Sequence, residues 1–262
     1  MLELGTQRSQ NRTTQAMPAR SSEHLELGST MQASSPCALA SNRTAVILAG
    51  GRSSRFGANK ALQVLARKPL ICHVVERISN VVDDVLVVIG RGERSAEYQI
   101  VLPSSVTVIS DKHEGKNPLV GIVSGLQAAK SEQVAVLACD VPFVNGAVID
   151  HLFRRARDAD AVIPIWNAGR IEPLQAVYRR FLTLRAAQEA LTQEDSSQKE
   201  MIDRLPRVIY VSVENEIRKI DPSLRSFFNV NTREDLAGAE RIIRGEGRSN
   251  SRRHRGRKHT RD

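Results

Sequence analysis

The sequence predicts an α/β domain built on a mainly parallel sheet. Short continuous apolar runs recur along the chain and read as strands buried on both faces. Stretches with helical spacing separate them, so successive strands are joined by right-handed crossovers. A chain of 262 residues is long enough for one such domain with a sizeable core.

The elements follow in order. Residues 1–43 are rich in Ser, Gln and Thr and lack a sustained period, which predicts a disordered extension. Ordered structure is expected from Thr44, with a buried strand over Thr44–Ala49. Pro69 stands where a helix can start, and Leu70, Ile71, Val74, Val75 and Ile78 follow at helical spacing. Val85–Ile89 and Val106–Ile109 read as strands, the latter ending at Ser110-Asp111. Pro118–Lys130 reads as a helix, and Val134–Ala138 as a strand ending at Cys139-Asp140. A helix over Ala147–Arg157 and a strand over Ala161–Ile165 come next. The turn Asn167-Ala168-Gly169 then leads to a strand through Leu174–Val177, expected as an antiparallel addition to the sheet. Arg179–Leu191 is helical, Gln193–Glu200 reads as a polar loop, and Val208–Val213 as a strand. Thr232 starts the last helix, with Asp235 three residues on as an imperfect capping box. A basic tail over 245–262, also expected to be disordered, closes the chain.

Charge and cysteine content narrow the function classes. The formal net charge of +9 is concentrated in the tail, where seven cations oppose only Glu246 and Asp262 for a net of +5. The first 43 residues carry +1, which leaves +3 on the body. The tail has no aromatic side chain for base stacking, so specific nucleic-acid recognition is not supported. No apolar run approaches the roughly 20 residues needed to span a bilayer, and the N-terminus lacks the apolar segment of a secretory signal. Cys37, Cys72 and Cys139 have no metal-ligand spacing and read as reduced thiols of a cytoplasmic protein.

The chemistry concentrates where the first strand ends. Ala45-Val46-Ile47-Leu48-Ala49 runs into Gly50-Gly51-Arg52-Ser53-Ser54-Arg55-Phe56-Gly57-Ala58-Asn59-Lys60. Glycines let the backbone approach a ligand, successive N–H groups form an anion nest, and Arg55 and Lys60 add cations. The ligand this suits is a nucleoside triphosphate. The loop is neither G-x-x-x-x-G-K-[ST], since Ala61 follows Lys60, nor G-x-G-x-x-G. In an open α/β sheet, ligands bind beyond the carboxyl ends of the strands. Asp111 and Asp140 also follow strands there. Two carboxylates beside a basic loop suit nucleotidyl transfer, because Mg²⁺ bridges a triphosphate to protein through one or two carboxylates.

The loop resembles the signature L-A-G-G-x-S-x-R-[MF]-G-x-x-K of Rossmann-like nucleotidyltransferases, and within them the molybdenum cofactor guanylyltransferase family. Ala138-Cys139-Asp140-Val141-Pro142-Phe143 is similar to that family's C-D-M-P-F segment. The run Asp111 to Gly121 is similar to D-x-x-x-x-G-x-G-P-L-x-G, with Asn117 in place of a glycine. Gly169 to Tyr178 matches G-R-x-x-P-L-x-A-x-Y, and Phe227 to Leu236 matches F-x-N-[IV]-N-T-P-E-D-L with Arg233 for proline. Asn59 stands where an aspartate is frequent. The resemblance covers about residues 44–243.

What the resemblance implies is a three-layer Rossmann-like nucleotidyltransferase fold over 44–244, with GMP transferred from GTP to molybdopterin-bound molybdenum cofactor. It implies catalytic roles for Arg55, Lys60 and Asp140. GTP would meet Leu48, Ala49, Gly50, Gly51, Lys60, Asp111 and Asp140, and Mg²⁺ would sit on Asp140. Arg170, Asn229 and Asn231 are candidates for molybdopterin, with turn formation as the alternative role for the asparagines. Molybdoenzymes or their chaperones would be the recipients. Two alternatives stay open: another nucleotidyltransferase, using CTP with molybdopterin or acting on a sugar or alcohol phosphate, and a basic-tailed nucleic-acid-binding protein. His73 and His113 are expected to be outside the chemistry, and Trp166 to cap a hydrophobic edge.

Overall fold

The computed structural model describes residues 42–50, 59–111, 117–193 and 196–245. Nine strands occur among them: β1 (Arg43–Leu48), β2 (Val64–Leu65), β3 (Lys68–Pro69), β4 (Asp84–Ile89), β5 (Val106–Ser110), β6 (Gln133–Ala138), β7 (Ala161–Ile165), β8 (Gln175–Arg179) and β9 (Val208–Ser212). The helices are α1 (Leu70–Ile78), α2 (Ser95–Val101), α3 (Pro118–Ala128), α4 (Gly146–Arg155), α5 (Arg180–Leu191), α6 (Gln198–Asp203), α7 (Arg218–Ile220) and α8 (Arg233–Ile243). The expected N-terminal extension, apart from Asn42 and Arg43, and the basic tail, apart from Gly245, lie outside the described residues.

Seven strands form one sheet in the order β5-β4-β1-β6-β8-β7-β9. β8 runs antiparallel to both neighbours, and every other pairing is parallel. The continuous apolar runs are explained by alternation between two helical layers. Ala45 and Ile47 of β1, Val85 and Val87 of β4 and Leu137 of β6 face α1 and α4 in one core. Val46, Leu48, Leu86, Val88 and Val136 face α3, α5 and α6 in the other. Each strand thus buries both faces and needs apolar residues at every position. The result is the expected three-layer α/β arrangement with a mainly parallel sheet.

Helix starts follow local chemistry. Asn117 caps α3, its side chain accepting from Leu119 N, with Pro118 in the first turn. Asn145 caps α4 through Ala147 N. A third apolar cluster, Leu65, Leu70, Phe143, Val230 and Ala239, joins the β2–β3 hairpin and α8 to the segment after β6.

Two local expectations are corrected, one is borne out with its place in the sheet now fixed, and two elements appear that no expectation covered. β8 is the expected antiparallel strand, and it lies between β6 and β7, where its two neighbours bury Ala176, Val177 and Tyr178. The loop expected over Gln193–Glu200 gives way to α6, which Ser197 starts by accepting from Glu200 N and which buries Met201 and Ile202. The capping box of α8 is complete, because the Asp235 carboxylate reaches back to the Thr232 amide as a glutamate would. The hairpin and α2 carry no sequence signal of the usual kind. The hairpin turns on Ala66 and Arg67, both at positive φ, without the Asn-Gly pair such turns favour. α2 buries only Tyr98, so it has no apolar period.

Candidate active site

The site is assembled where three strand ends meet. Leu48 pairs with both Val88 and Ala138, and Val88 with Ile109. Beyond the strands the ladder continues: Ala49 N donates to Val88 O at 2.8 Å, Asp111 N to Ile89 O at 2.9 Å and Cys139 N to Leu48 O at 3.1 Å. Gly50, Asp111 and Asp140 therefore leave the sheet at one carboxyl edge. They border an open cleft of about 220 Å³ that Leu48, Lys60 and Asn117 also line. Glycine at position 50 is required by a close approach: a Cβ there would lie 2.6 Å from the Gly90 amide nitrogen.

Lys60 is the centre of the polar constellation. Its Nζ donates to Asp140 Oδ2 at 2.6 Å and to Asn231 Oδ1 at 2.7 Å. The Lys60 and Asp140 side chains are only 15% and 18% exposed, so this ion pair is more strongly coupled than a surface pair. The Asp140 carbonyl accepts from Val230 N at 2.9 Å, which fastens the Asn229–Asn231 segment beside it. Asp111 accepts a hydrogen bond from the Ser124 hydroxyl of α3, an orientation that fixes its carboxylate at the cleft. Burial, with the Asp140 charge second, pushes the Cys139 thiol up to about 12. Cys139 thus stays protonated at neutral pH and is no nucleophile.

The two carboxylates are the groups that can hold a cation. Among the described residues, three His, Cys, Asp or Glu side chains nowhere gather as a metal site. Asp111 and Asp140 on one cleft are the oxygen-only, incomplete set that a Mg²⁺ shared with phosphates needs.

Sequence-expected residues distribute as follows. Leu48, Ala49, Gly50, Lys60, Asp111 and Asp140 all line the cleft. Gly51 and Arg55 lie outside the described residues, as do Gly57 and His113. Asn231 joins Lys60, whereas Asn229 is exposed. Arg170 is not among the residues lining the cleft; it stands in the turn after β7, where its guanidinium stacks 4.9 Å from the Trp166 ring centre and pairs with Glu172 at 3.1 Å. Trp166 in turn packs edge-on to Phe227 and donates to Glu172. His73 is held by the Leu65 carbonyl, away from the chemistry. Asn117 lines the cleft, but its side chain is committed: Oδ1 caps α3, and Nδ2 donates to Ser196 O at 2.6 Å and Ser196 Oγ at 2.8 Å. Residue reasoning missed Gly90, Gly121 and Leu174 as cleft walls. The signal for Gly90 was available, since it follows β4 as Gly50 follows β1.

Known proteins resemble this chain in sequence and in fold. The pattern of the MobA-like NTP transferase domain matches residues 45–208. A probable molybdenum cofactor guanylyltransferase of Methanosarcina mazei is 37% identical over 199 residues, covering 74% of this chain and 88% of that protein. The molybdenum cofactor guanylyltransferase of Desulfosudis oleivorans is 36% identical over 203 residues, covering 77% and 96%. Among solved structures, molybdopterin-guanine dinucleotide biosynthesis protein A of Archaeoglobus fulgidus is 32% identical with a TM-score of 0.66, covering 77% of this chain and 99% of that one. A 2-C-methyl-D-erythritol 4-phosphate cytidylyltransferase of Thermus thermophilus, 18% identical with a TM-score of 0.55 over 76% and 98% of the two chains, shares the fold.

Proposed function

The chain belongs to the molybdenum cofactor guanylyltransferase family, within the MobA-like NTP transferases, and we propose that it transfers GMP from GTP to molybdopterin-bound molybdenum cofactor. The observation that carries this reading is the meeting of Lys60 and Asp140, distant in sequence, in the wall of one cleft, with Asn231 bonded to the same lysine. The terminal phosphate of molybdopterin attacks the α-phosphorus of GTP in line. A new P–O bond forms, the bond to the β-phosphate oxygen breaks, and pyrophosphate leaves. The attacking phosphate is already ionised, so catalysis rests on positioning and charge stabilisation.

The site residues that the family resemblance implies take the following roles. Leu48, Ala49, Gly50 and Gly51 hold the nucleoside through backbone groups, with Asp111 beside it. Lys60 and Arg55 neutralise the phosphates. Asp140 holds Mg²⁺, which when bound neutralises charge on the triphosphate. With Mg²⁺ on Asp140, Lys60, which pairs with that carboxylate, would be close enough to share the phosphate charge. Arg170, Asn229 and Asn231 receive molybdopterin, Arg170 through its phosphate. Thr232 and Asp235 make the cap of α8, and the Asn231 amide donates to the same Asp235 carboxylate. Molybdoenzymes or their chaperones take the product. Free thiols at Cys72 and Cys139 support a reducing compartment, the cytoplasm, as the place of action. Among the described residues no helix is long and apolar enough to cross a membrane.

The test is competition binding of GTP, ATP and CTP at fixed Mg²⁺, followed by pyrophosphate release with molybdopterin. A pocket that pairs with the edge of guanine rejects adenine by roughly 10⁴-fold, because buried polar groups go unpaired. Tighter, productive use of CTP moves the chain to cytidylyl transfer, and equal use of all three removes the guanine assignment.

A further inference from the structure

Lys60 does not hold its place alone. The residue before it, Asn59, donates from Nδ2 to Glu93 Oε2 and to the Tyr98 hydroxyl, both at 2.8 Å. The Tyr98 hydroxyl donates to the same Glu93 oxygen at 2.7 Å. Asn59 Oδ1 accepts from Ala61 N at 3.1 Å and so caps the short turn Lys60–Leu62. Tyr98 is fully buried, and burial pushes its hydroxyl above the ordinary tyrosine range, so it remains a donor. Glu93 is seated by the glycine at the end of β4: a Cβ on Gly90 would lie 2.6 Å from Glu93 Oε1. That same Gly90 is the residue against which Gly50 packs. The segment Gly90–Tyr98 therefore touches both Gly50, just beyond β1, and Asn59, the residue before Lys60.

We propose that Glu93 and Tyr98, acting through Asn59, are positioning residues that set where Lys60 enters the phosphate site. This rests on the reading of Lys60 as a phosphate-binding cation. The amide at position 59 is what makes the arrangement work. An aspartate there loses both N–H donors and sets a second carboxylate against Glu93. Positions 59 and 93 are thus chemically complementary, amide with carboxylate.

The experiment measures binding of inorganic tripolyphosphate, with Mg²⁺, to the full chain, together with KM for GTP, kcat and thermal melting. Four variants are compared: Asn59→Asp, Asn59→Asp with Glu93→Gln, Tyr98→Phe and Lys60→Ala. Asn59→Asp is expected to weaken tripolyphosphate about tenfold or more, in line with loss of hydrogen bonds to a charged group. Adding Glu93→Gln restores most of it, because the donor now sits on the other side. Tyr98→Phe keeps the ring's packing, weakens tripolyphosphate several-fold and raises KM more than it lowers kcat. Wild-type affinity in Asn59→Asp overturns the proposal. So does an Asn59→Asp loss that Glu93→Gln does not relieve, or Tyr98→Phe changes confined to melting. Unchanged binding in Lys60→Ala overturns both this proposal and the role of Lys60, whereas a weakened Lys60→Ala beside an unchanged Asn59→Asp overturns positioning alone.

Discussion

Asp140 stands at the turn after β6 with Lys60 on one carboxylate oxygen and its own carbonyl tied to Val230. The carbonyl bond belongs to the backbone, so Asp140→Asn leaves it in place and keeps the side chain's shape. Only charge is removed. The variant is expected to melt within a few degrees of the parent and to lose roughly 10²–10³ in turnover, the scale of one deleted electrostatic contact. Turnover measured across a Mg²⁺ titration checks this, and parental rates at limiting Mg²⁺ would sink the assignment. Asn117 is a contrasting residue. Its place in the cleft suggested a direct hand in base recognition, but its amide is spent on the start of α3 and on Ser196.

At the scale of elements, α8 is held by its first turn. Thr232 Oγ1 accepts from Asp235 N at 3.1 Å, and the Asp235 carboxylate accepts from Asn231 N at 2.9 Å and Thr232 N at 2.8 Å. The Asn231 amide, followed by the Thr232 groups and the nearby Lys60 charge, holds the Asp235 carboxyl below its ordinary 3.8. A carboxyl depressed in the folded state stabilises above its unfolded value and loses that contribution as pH falls through the folded one. Acid melts should therefore show a stability loss below about pH 4 that is absent in Asp235→Asn. Thr232→Ala should cost about 1 kcal/mol at neutral pH, typical of a lost N-cap. Because Asn231 is fastened by the same carboxylate, either change should also loosen its contact to Lys60. A denaturation series with turnover measured alongside separates the two effects.

The β2–β3 hairpin makes a different demand. Ala66 and Arg67 sit at φ of 47° and 71°, the left-handed region that side chains resist. Arg67→Gly relieves one such residue, partly offset by greater freedom of the unfolded chain, and should stabilise by up to about 1 kcal/mol. Chemical denaturation gives the answer directly, and a destabilised variant would mean that Arg67 makes contacts worth more than the strain.

For the whole molecule, the three apolar clusters draw their buried members from residues between Ala45 and Ala239. A chain trimmed to 43–245 is expected to fold with the parental melting temperature and to retain turnover. Binding of polyanions by the full chain should weaken on trimming and with added salt, as counterion release requires. Lost turnover in the trimmed protein would overturn the domain limits.

The seven strands of the main sheet, the helices α1, α3, α4, α5 and α8, and the places of Gly50, Asp111 and Asp140 beyond strand ends were legible in the sequence. Each rests on a local pattern: period, turn chemistry, or a polar residue directly after an apolar run. Only the tertiary structure decided the rest. β8 went to the interior of the sheet because two neighbouring strands bury it, a fact about strand order that no window along the chain contains. α6 formed from a polar stretch because α5 and α3 offered Met201 and Ile202 a core. The hairpin formed on Ala66 and Arg67 because Leu65 and Leu70 are anchored against Phe143 and Val230. The pairing of Lys60 with Asp140 and Asn231, separated from it by 80 and 171 positions, exists only once three segments converge on one edge. The same holds for Glu93 and Tyr98. Neither belongs to a motif, and their bearing on Lys60 comes from their hydrogen bonds to the neighbouring Asn59. Local physics chose the elements and their chemistry, and burial at long range chose which of those groups would meet.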